Sequence, residues 1–191
     1  MHAVAISGSP RKNGNTETLL QRCLDGLAAK GIAGELISLR DKTIKGCRAC
    51  GGCGRKKDKS CSVKDDDFHP VFEAMLKADI IVVGSPVYFG SATPEMMALL
   101  DRAGYVAGAN GKLFSRKLGG PVAIARRAGH NFTYAQLLFW YMINDMIVPG
   151  STYWNVALAR EAGKVAEDTE ALATIDRFAE NLAWLAERTA G

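Results

Sequence analysis

Four cysteines stand close together in the first third of this 191-residue chain, and their spacing suggests a specific chemistry. They form the pattern C-x2-C-x2-C-x7-C at Cys47, Cys50, Cys53 and Cys61. Gly51 and Gly52 separate the second cysteine from the third and allow the backbone to curl, so that three thiolates can face one centre. The fourth cysteine arrives on a short loop and can close the site. This spacing is typical of iron–sulfur cluster ligation by four thiolates.

Two other roles stay open for these cysteines. Zinc also accepts four thiolates, but it usually takes them from two separated pairs, whereas three cysteines in consecutive x2 steps suit a cuboidal cluster better. The thiols could also be free or redox-paired. The fifth cysteine, Cys23, falls on the apolar face of a predicted helix, where we expect it to be a buried packing residue.

A second group of chemically suited residues follows the first apolar run, Ala3–Ile6, at the start of a predicted helix. Hydroxyl, amide and guanidinium groups gather there, on Ser7, Ser9, Arg11, Asn15, Thr16 and Thr18. A helix N-terminus offers unpaired N–H groups and a partial positive charge, so the expected ligand is a phosphate. A Walker loop would need a lysine after Gly14, and a dinucleotide fingerprint would need three glycines where only Gly8 and Gly14 are present. The loop therefore favours a terminal phosphate monoester.

The elements that must position these residues alternate between strand and helix about five times. The predicted strands are Ala3–Ile6, Glu35–Leu39, Ile80–Val83, Val122–Ala125 and one within residues 146–157. The predicted helices carry the apolar residues of 19–27, 68–76, 96–103, 133–144 and 167–188. This alternation predicts a three-layer, doubly wound α/β fold, in which a five-stranded parallel sheet has helices on both faces. A cysteine-bearing loop of about residues 40–65 follows the second strand. Ligands of such sheets bind beyond the carboxyl ends of the strands.

Composition narrows the function classes further. The net charge of +4, without a basic stripe interleaved with aromatic residues, does not indicate nucleic-acid binding. No apolar run approaches membrane-spanning length, and the N-terminus enters a core strand at once, so we expect a cytoplasmic protein without a membrane partner. We expect one domain over residues 1–191. No acidic residue pairs with a nucleophile, so hydrolase chemistry has no support and no catalytic acid or base is predicted.

With the strand-end loops in view, the chain resembles the flavodoxin-like superfamily, specifically its NADPH-dependent FMN reductase branch. The resemblance rests on Gly8–Thr16 and Ser85–Gly90 and covers most of the chain. It implies an FMN cofactor whose phosphate is held by Ser9, Arg11, Asn15 and Thr16. It implies a ring system lined by Pro86, Val87, Tyr88, Phe89 and Gly90. The third loop would add Arg126 and Gly129. A cation there would stabilise the anionic reduced flavin, but it could equally serve an NADPH phosphate or a surface salt bridge.

The cysteine pattern resembles that of the iron–sulfur flavoproteins, in which a compact motif binds a [4Fe–4S] cluster that passes electrons to FMN, often in a partner subunit. This resemblance implies an electron-transfer oxidoreductase with a [4Fe–4S] cluster on the four cysteines. It also implies ferredoxin or NAD(P)H as the electron donor, and assembly as a homodimer or homotetramer. Two alternatives are an NAD(P)H-dependent FMN or quinone reductase without a cluster, and a redox-sensing or zinc-binding regulator.

Overall fold

A computed structural model describes residues 1–189 and places five strands in one parallel sheet. The strands are β1 (His2–Ser7), β2 (Ala33–Ser38), β3 (Ile80–Pro86), β4 (Leu118–Ala125) and β5 (Val156–Leu158). Their order in the sheet is β2-β1-β3-β4-β5, so the winding direction reverses between β1 and β3. This order confirms the predicted doubly wound sheet and puts its switch point at the ends of β1 and β3. The last two residues of the predicted domain lie outside the described residues.

Helices cover both faces of the sheet. They are α1 (Asn15–Ala28), α2 (Gly52–Lys56), α3 (Phe68–Lys77), α4 (Pro94–Ala109), α5 (His130–Ile143) and α6 (Thr169–Thr189). Alternate residues of β1 serve opposite faces, because Ala3 and Ala5 pack with α1 and α6 while Val4 and Ile6 pack with α3, α4 and α5. The result is the predicted three-layer arrangement. Within residues 1–189, no helix has both the length and the apolar character needed to cross a membrane.

β4 begins four residues earlier than predicted, because its glycines belong to the strand. A Cβ on Gly119 would lie 1.9 Å from the carbonyl oxygen of Ile81, so only glycine allows β4 to approach β3 here. The buried hydroxyl of Tyr141 accepts a hydrogen bond from the Val83 amide and can donate to the Gly120 carbonyl oxygen. These contacts turn a sequence that looks like a strand breaker into the start of a central strand.

The four cysteines lie between β2 and α3, in residues 46–62, which we call the cysteine segment. The sequence predicts a loop throughout this region, whereas the structure contains the short helix α2 within it. Two flanking stretches, residues 43–45 and 63–67, run beside each other and form the base of the segment. The Thr43 amide donates to the Asp67 carboxylate at 2.7 Å, and the Lys45 amide donates to the Asp66 carboxylate at 2.9 Å.

Candidate active site and cysteine centre

The loops after β1, β3 and β4 meet at the carboxyl edge of the sheet and border a cavity of about 210 Å³. The predicted cofactor residues that line it are Ser9, Arg11, Asn15, Thr16, Pro86, Val87, Tyr88 and Arg126. Residues that the sequence did not indicate complete the lining, and they are Ile124, Ala159 and Arg160. Ala159 and Arg160 follow β5, a strand of only three residues whose end no sequence pattern marks.

Close packing against the neighbouring elements fixes the loop after β1. The Gly8 amide donates to the Gly84 carbonyl oxygen at 2.8 Å, and the Thr93 hydroxyl donates to the Gly8 carbonyl oxygen at 2.9 Å. A Cβ on Gly8 would lie 2.7 Å from the Thr93 hydroxyl oxygen, so the approach requires glycine. Thr93 is the residue that precedes α4, and its hydroxyl binds this loop instead of capping the helix.

The N-terminus of α1 is arranged to hold an anion. Gly14 precedes the helix and has no side chain to cap the first-turn amides, so these amides keep their capacity to bind an acceptor. The side chains of Ser9 and Thr16 are buried beside them. The Ser9 hydroxyl also accepts a hydrogen bond from the Arg11 amide at 3.2 Å, which fixes the turn. Hydroxyls, amides and one guanidinium are therefore concentrated at one end of the cavity.

Asn15 borders the cavity, but its side chain binds the loop that follows β5. Its amide nitrogen donates to the Glu161 carbonyl oxygen at 2.8 Å, and its amide oxygen accepts from the Val165 backbone at 3.2 Å. Arg11 adds a bond of 3.3 Å from its guanidinium to the Arg160 carbonyl oxygen. The predicted role of the Asn15 side chain in holding a phosphate stays a prediction. The contact that the structure shows for it is positioning of the loop that carries Arg160.

The loop after β3 places only part of its predicted residues at the cavity. Tyr88 and Ser91 exchange two backbone hydrogen bonds of 2.8 and 3.0 Å, which makes Phe89 and Gly90 the tip of a tight turn. Phe89 has φ of 52°, an uncommon value for a bulky residue, and its side chain is fully exposed. Gly129 lies nearby with φ of 87°. Phe89, Gly90 and Gly129 are outside the cavity lining, and their contact with a flavin ring stays a prediction.

This cavity suits a phosphate joined to a flat aromatic ring. One end offers α1 amides, hydroxyls and the cations Arg11 and Arg160, while the apolar wall is formed by Pro86, Val87 and Ile124. FMN, when bound, can exchange either a hydride or single electrons. The residues at the polar end of the cavity would hold its phosphate, and those of the apolar wall would border its ring. The Arg126 cation lines the same cavity and would favour negative charge on a reduced ring.

The four predicted cysteine ligands all line a second, much smaller cavity of about 20 Å³ beside α4. Two glycines bring them together. Gly51 has φ of 66°, which is the left-handed conformation that glycine adopts most easily. A Cβ on Gly52 would lie only 2.0 Å from the Ser62 hydroxyl oxygen, so glycine is required for the turn at Cys50–Cys53 to approach the chain next to Cys61. The predicted curl of the backbone is therefore present.

The sulfur atoms are free thiols, exposed for Cys47 and Cys50 and buried for Cys53. The amides of Ala49 and Val63 donate to the sulfurs of Cys47 and Cys61, each at 3.4 Å. Burial raises the pKa of the Cys53 thiol, and the nearby thiols of Cys61 and Cys47 act in the same direction. Because thiolate sulfur is a soft ligand, the four cysteines together are suited to a soft metal ion or an iron–sulfur cluster.

The space between the four thiols is smaller than an iron–sulfur cluster would need. In residues 1–189, no three His, Cys, Asp or Glu side chains form a group that could hold a metal ion. The free volume of about 20 Å³ accepts one water-sized group, so a larger centre requires the segment to open. The exposed Cys47 and Cys50 lie on the side of the segment that faces solvent.

Comparison with known proteins decides the family. Residues 1–161 match the NADPH-dependent FMN reductase family. The chain belongs to this family. It is a flavodoxin-like, FMN-binding oxidoreductase, which confirms the family and the class of enzyme that the strand-end loops predict. The matched range contains the loops after β1, β3 and β4 together with all four clustered cysteines.

Two relatives are named as iron–sulfur flavoproteins, and one solved structure has a similar fold. The chain is 33% identical over 190 residues to an iron–sulfur flavoprotein of Methanocaldococcus jannaschii, covering 96% of each chain. It is 30% identical over 190 residues to an iron–sulfur flavoprotein of Methanosarcina thermophila, covering 95% of this chain and 93% of that one. The fold resembles that of RosB, solved with bound 8-demethyl-8-formylriboflavin-5′-phosphate, with a TM-score of 0.77 and 17% identity over 100% of this chain and 82% of RosB.

Proposed function

We propose that this protein is an iron–sulfur flavoprotein that transfers electrons between a donor, a [4Fe–4S] cluster and FMN. The observation that carries the proposal is that Cys47, Cys50, Cys53 and Cys61 line one cavity, with two of their sulfurs already accepting backbone N–H bonds. Hydrogen bonds to sulfur are among the contacts that set the potential of such clusters. Four thiolates are the ligand set that such a cluster would take, and these four cysteines would hold it once the segment opens.

The similarity to iron–sulfur flavoproteins supports this proposal, because it extends over nearly the whole chain and includes the cysteine segment. FMN converts between hydride and single-electron transfer, whereas a cluster handles one electron at a time. The protein's contribution is to hold both groups and to set their potentials. No side chain at the flavin cavity is needed as an acid or base.

Charge around the cysteines favours an acidic protein, such as a ferredoxin-type carrier in the cytoplasm, as the electron donor. The cysteine segment contains five basic residues and one acidic residue, Asp58. The basic residues are all exposed, and they are Arg48, Arg55, Lys56, Lys57 and Lys59. This group of positive charges beside the cysteine cavity raises the encounter rate with a negatively charged partner and makes that rate sensitive to salt.

Exposed apolar side chains support the proposed homodimer or homotetramer. Phe132, Phe139 and Ile143 of α5 are 76%, 69% and 82% exposed. Large apolar side chains grouped on one helix are typical of contact surfaces between subunits. Light scattering of the purified protein should give a mass at least twice the 20.5 kDa of one chain. A single-chain mass would contradict the assembly without affecting the cofactor assignment.

The decisive experiment is a count of iron, sulfide, zinc and FMN in protein purified without oxygen, together with its visible spectrum. We expect flavin bands over a broad iron–sulfur shoulder, with about four irons and four sulfides per chain. Cys53→Ser should lose the iron and keep the FMN. Cys23→Ala is the matched control, because Cys23 is a buried residue of α1 and is absent from the cysteine cavity, and it should keep both. Flavin without iron in the unmodified protein would contradict the cluster.

The flavin cavity itself favours a second candidate, an NAD(P)H-dependent FMN or quinone reductase without a cluster. Arg126 and Arg160 are exposed at the cavity edge, where they could hold the phosphates of NADPH. Steady NADPH oxidation with a quinone or free flavin, unchanged in Cys53→Ser, would favour this reductase. A zinc ion in place of iron, with little turnover, would favour the regulator instead.

A further inference from the structure

Arg102 is a buried charge that the flavin cavity does not use. It lies on α4 in the same apolar stripe as Leu99 and Val106, and its side chain is only 1% exposed. Burying a guanidinium is unfavourable unless its charge is paired and its N–H groups find acceptors. Its contacts therefore indicate what the residue is for.

Those contacts lead to both ends of the cysteine segment. One terminal guanidinium nitrogen, Nη1, donates to the Lys45 carbonyl oxygen at 3.0 Å, and the other, Nη2, donates to the Val63 carbonyl oxygen at 3.1 Å. These two residues immediately flank the segment of residues 46–62 on either side. Arg102 also forms an ion pair with Asp66, whose side chain is fully buried, and it lies over the ring of Phe68 at 4.0 Å. The planar guanidinium group thus holds together the two stretches that form the base, residues 43–45 and 63–67.

Arg102 also lines the cavity that Cys47, Cys50, Cys53 and Cys61 border. Its Nε–H is buried and has no hydrogen-bond partner among the described residues. A buried donor without an acceptor is uncommon in a folded protein. Thiolates, or the sulfurs of a metal centre, are the acceptors that the chemistry of this cavity would supply.

We infer that Arg102 is a positioning residue for the cysteine centre. Its fork fixes the spacing between the two ends of the segment, and its Nε–H can donate to a sulfur of a metal-bound centre. This donation applies to any metal that the four sulfurs hold. Its effect on an iron–sulfur cluster rests on the proposed function, whereas the fixing of the segment does not.

Cadmium tests the inference without relying on electron transfer. The FMN-loaded full-length protein, stripped of other metals, is titrated with Cd²⁺ alone while the thiolate-to-cadmium absorbance is recorded. Residues that orient metal ligands typically change affinity by about 10- to 100-fold, and we expect a loss in that range for Arg102→Met. Arg102→Lys keeps the charge that pairs with Asp66 but loses the planar fork and the Nε–H, so it should recover only part of the affinity. Arg22→Met is the matched control, because Arg22 pairs with Asp176 between α1 and α6, and it should bind Cd²⁺ like the parent.

Trypsin gives a second readout that needs no metal. Arg48, Arg55, Lys56, Lys57 and Lys59 are cleavage sites within the cysteine segment, and Arg102→Met should accelerate cleavage there while FMN binding stays unchanged. The double change Arg102→Met with Asp66→Asn removes the stranded carboxylate and keeps the test available if the single variant does not fold. Parent-like cadmium affinity and parent-like cleavage in a folded Arg102→Met or double variant would overturn the inference. A parent protein that lacks iron but shows these effects would overturn only the cluster.

Discussion

The flavin cavity and the cysteine centre are built by different means. The loops around the flavin cavity leave the buried strands β1, β3 and β4, and the sheet fixes where they meet. The cysteine segment leaves the edge strand β2 and is held mainly by side-chain contacts at its base. The first cavity is about 210 Å³ and the second about 20 Å³. The fold thus forms the flavin cavity in advance, whereas the cysteine cavity would have to open before it could take a metal group larger than one water.

The largest separation between the two regions should come from Gly52→Ala. Its new Cβ would lie 2.0 Å from the Ser62 hydroxyl oxygen, which must rotate away, and 3.0 Å from the Ser62 Cβ, which must also give way, so the packing of the turn at Cys50–Cys53 against the chain next to Cys61 is disturbed. We expect almost complete loss of bound iron with normal FMN content, measured on protein purified without oxygen. Gly46→Ala is the control within the same segment, since a Cβ there meets no atom within 4 Å. Full iron occupancy in Gly52→Ala would show that the segment does not use this turn to bind metal.

Gly8→Ala should have the opposite outcome, with weaker FMN binding and an unchanged iron content. Its Cβ would lie 2.7 Å from the Thr93 hydroxyl oxygen and 3.0 Å from the Met96 Cβ, so the loop after β1 must shift away from α4. Overpacking of this kind costs about 1–3 kcal/mol, which predicts FMN binding weaker by roughly 10- to 100-fold. Fluorescence titration with FMN measures the change, and the iron content should stay at the parent level. Loss of iron together with FMN would mean that the two regions are not independent.

Arg160→Met tests the electrostatics of the flavin cavity. Removing one exposed cation should weaken FMN binding by about tenfold and leave riboflavin, which has no phosphate, nearly unaffected. The ratio of the two affinities is the measurement. Arg116→Met removes a cation that does not line this cavity and serves as the control. An equal loss for both flavins would assign Arg160 to the loop after β5 and not to the phosphate.

The smallest expected effect is on stability, and it appears only in acid, where Asp66 at the base of the cysteine segment becomes protonated. Burial opposes ionisation of Asp66, but its bonds with Arg102 and the Lys45 amide outweigh burial and lower the pKa of Asp66 below its ordinary 3.8. A lowered pKa means that this stabilisation is present above pH 3.8 and is lost as the pH falls through the folded value. Urea unfolding of the parent should therefore show a steeper loss of stability below pH 3.8 than unfolding of Asp66→Asn. Parallel curves would contradict this role.

The sequence predicted most of what the sheet determines. The first four strands and the helices on both faces follow from apolar periodicity and turn residues, which report local backbone preference. The cavity residues after β1 were indicated by polar side chains at a helix N-terminus, and those after β3 by the family resemblance. Arg160 was missed because β5 is three residues long and carries no periodic signal. Arg102 was missed because its importance lies in contacts with Lys45 and Val63, which are distant in sequence. Its position in the apolar stripe of α4, between Leu99 and Val106, was the signal that could have indicated a buried charge.

An anaerobic reductive titration counts the electrons that the protein accepts, and the count differs between a flavin alone and a flavin with a cluster. FMN takes two electrons and a [4Fe–4S] cluster takes one, so we expect about three electrons per chain. Bleaching of the broad iron–sulfur absorbance should accompany that of the flavin bands. Cys53→Ser should accept about two electrons, all at the flavin. An unmodified protein that accepts only two electrons, with flavin bands alone, would contradict electron transfer through the cysteine centre.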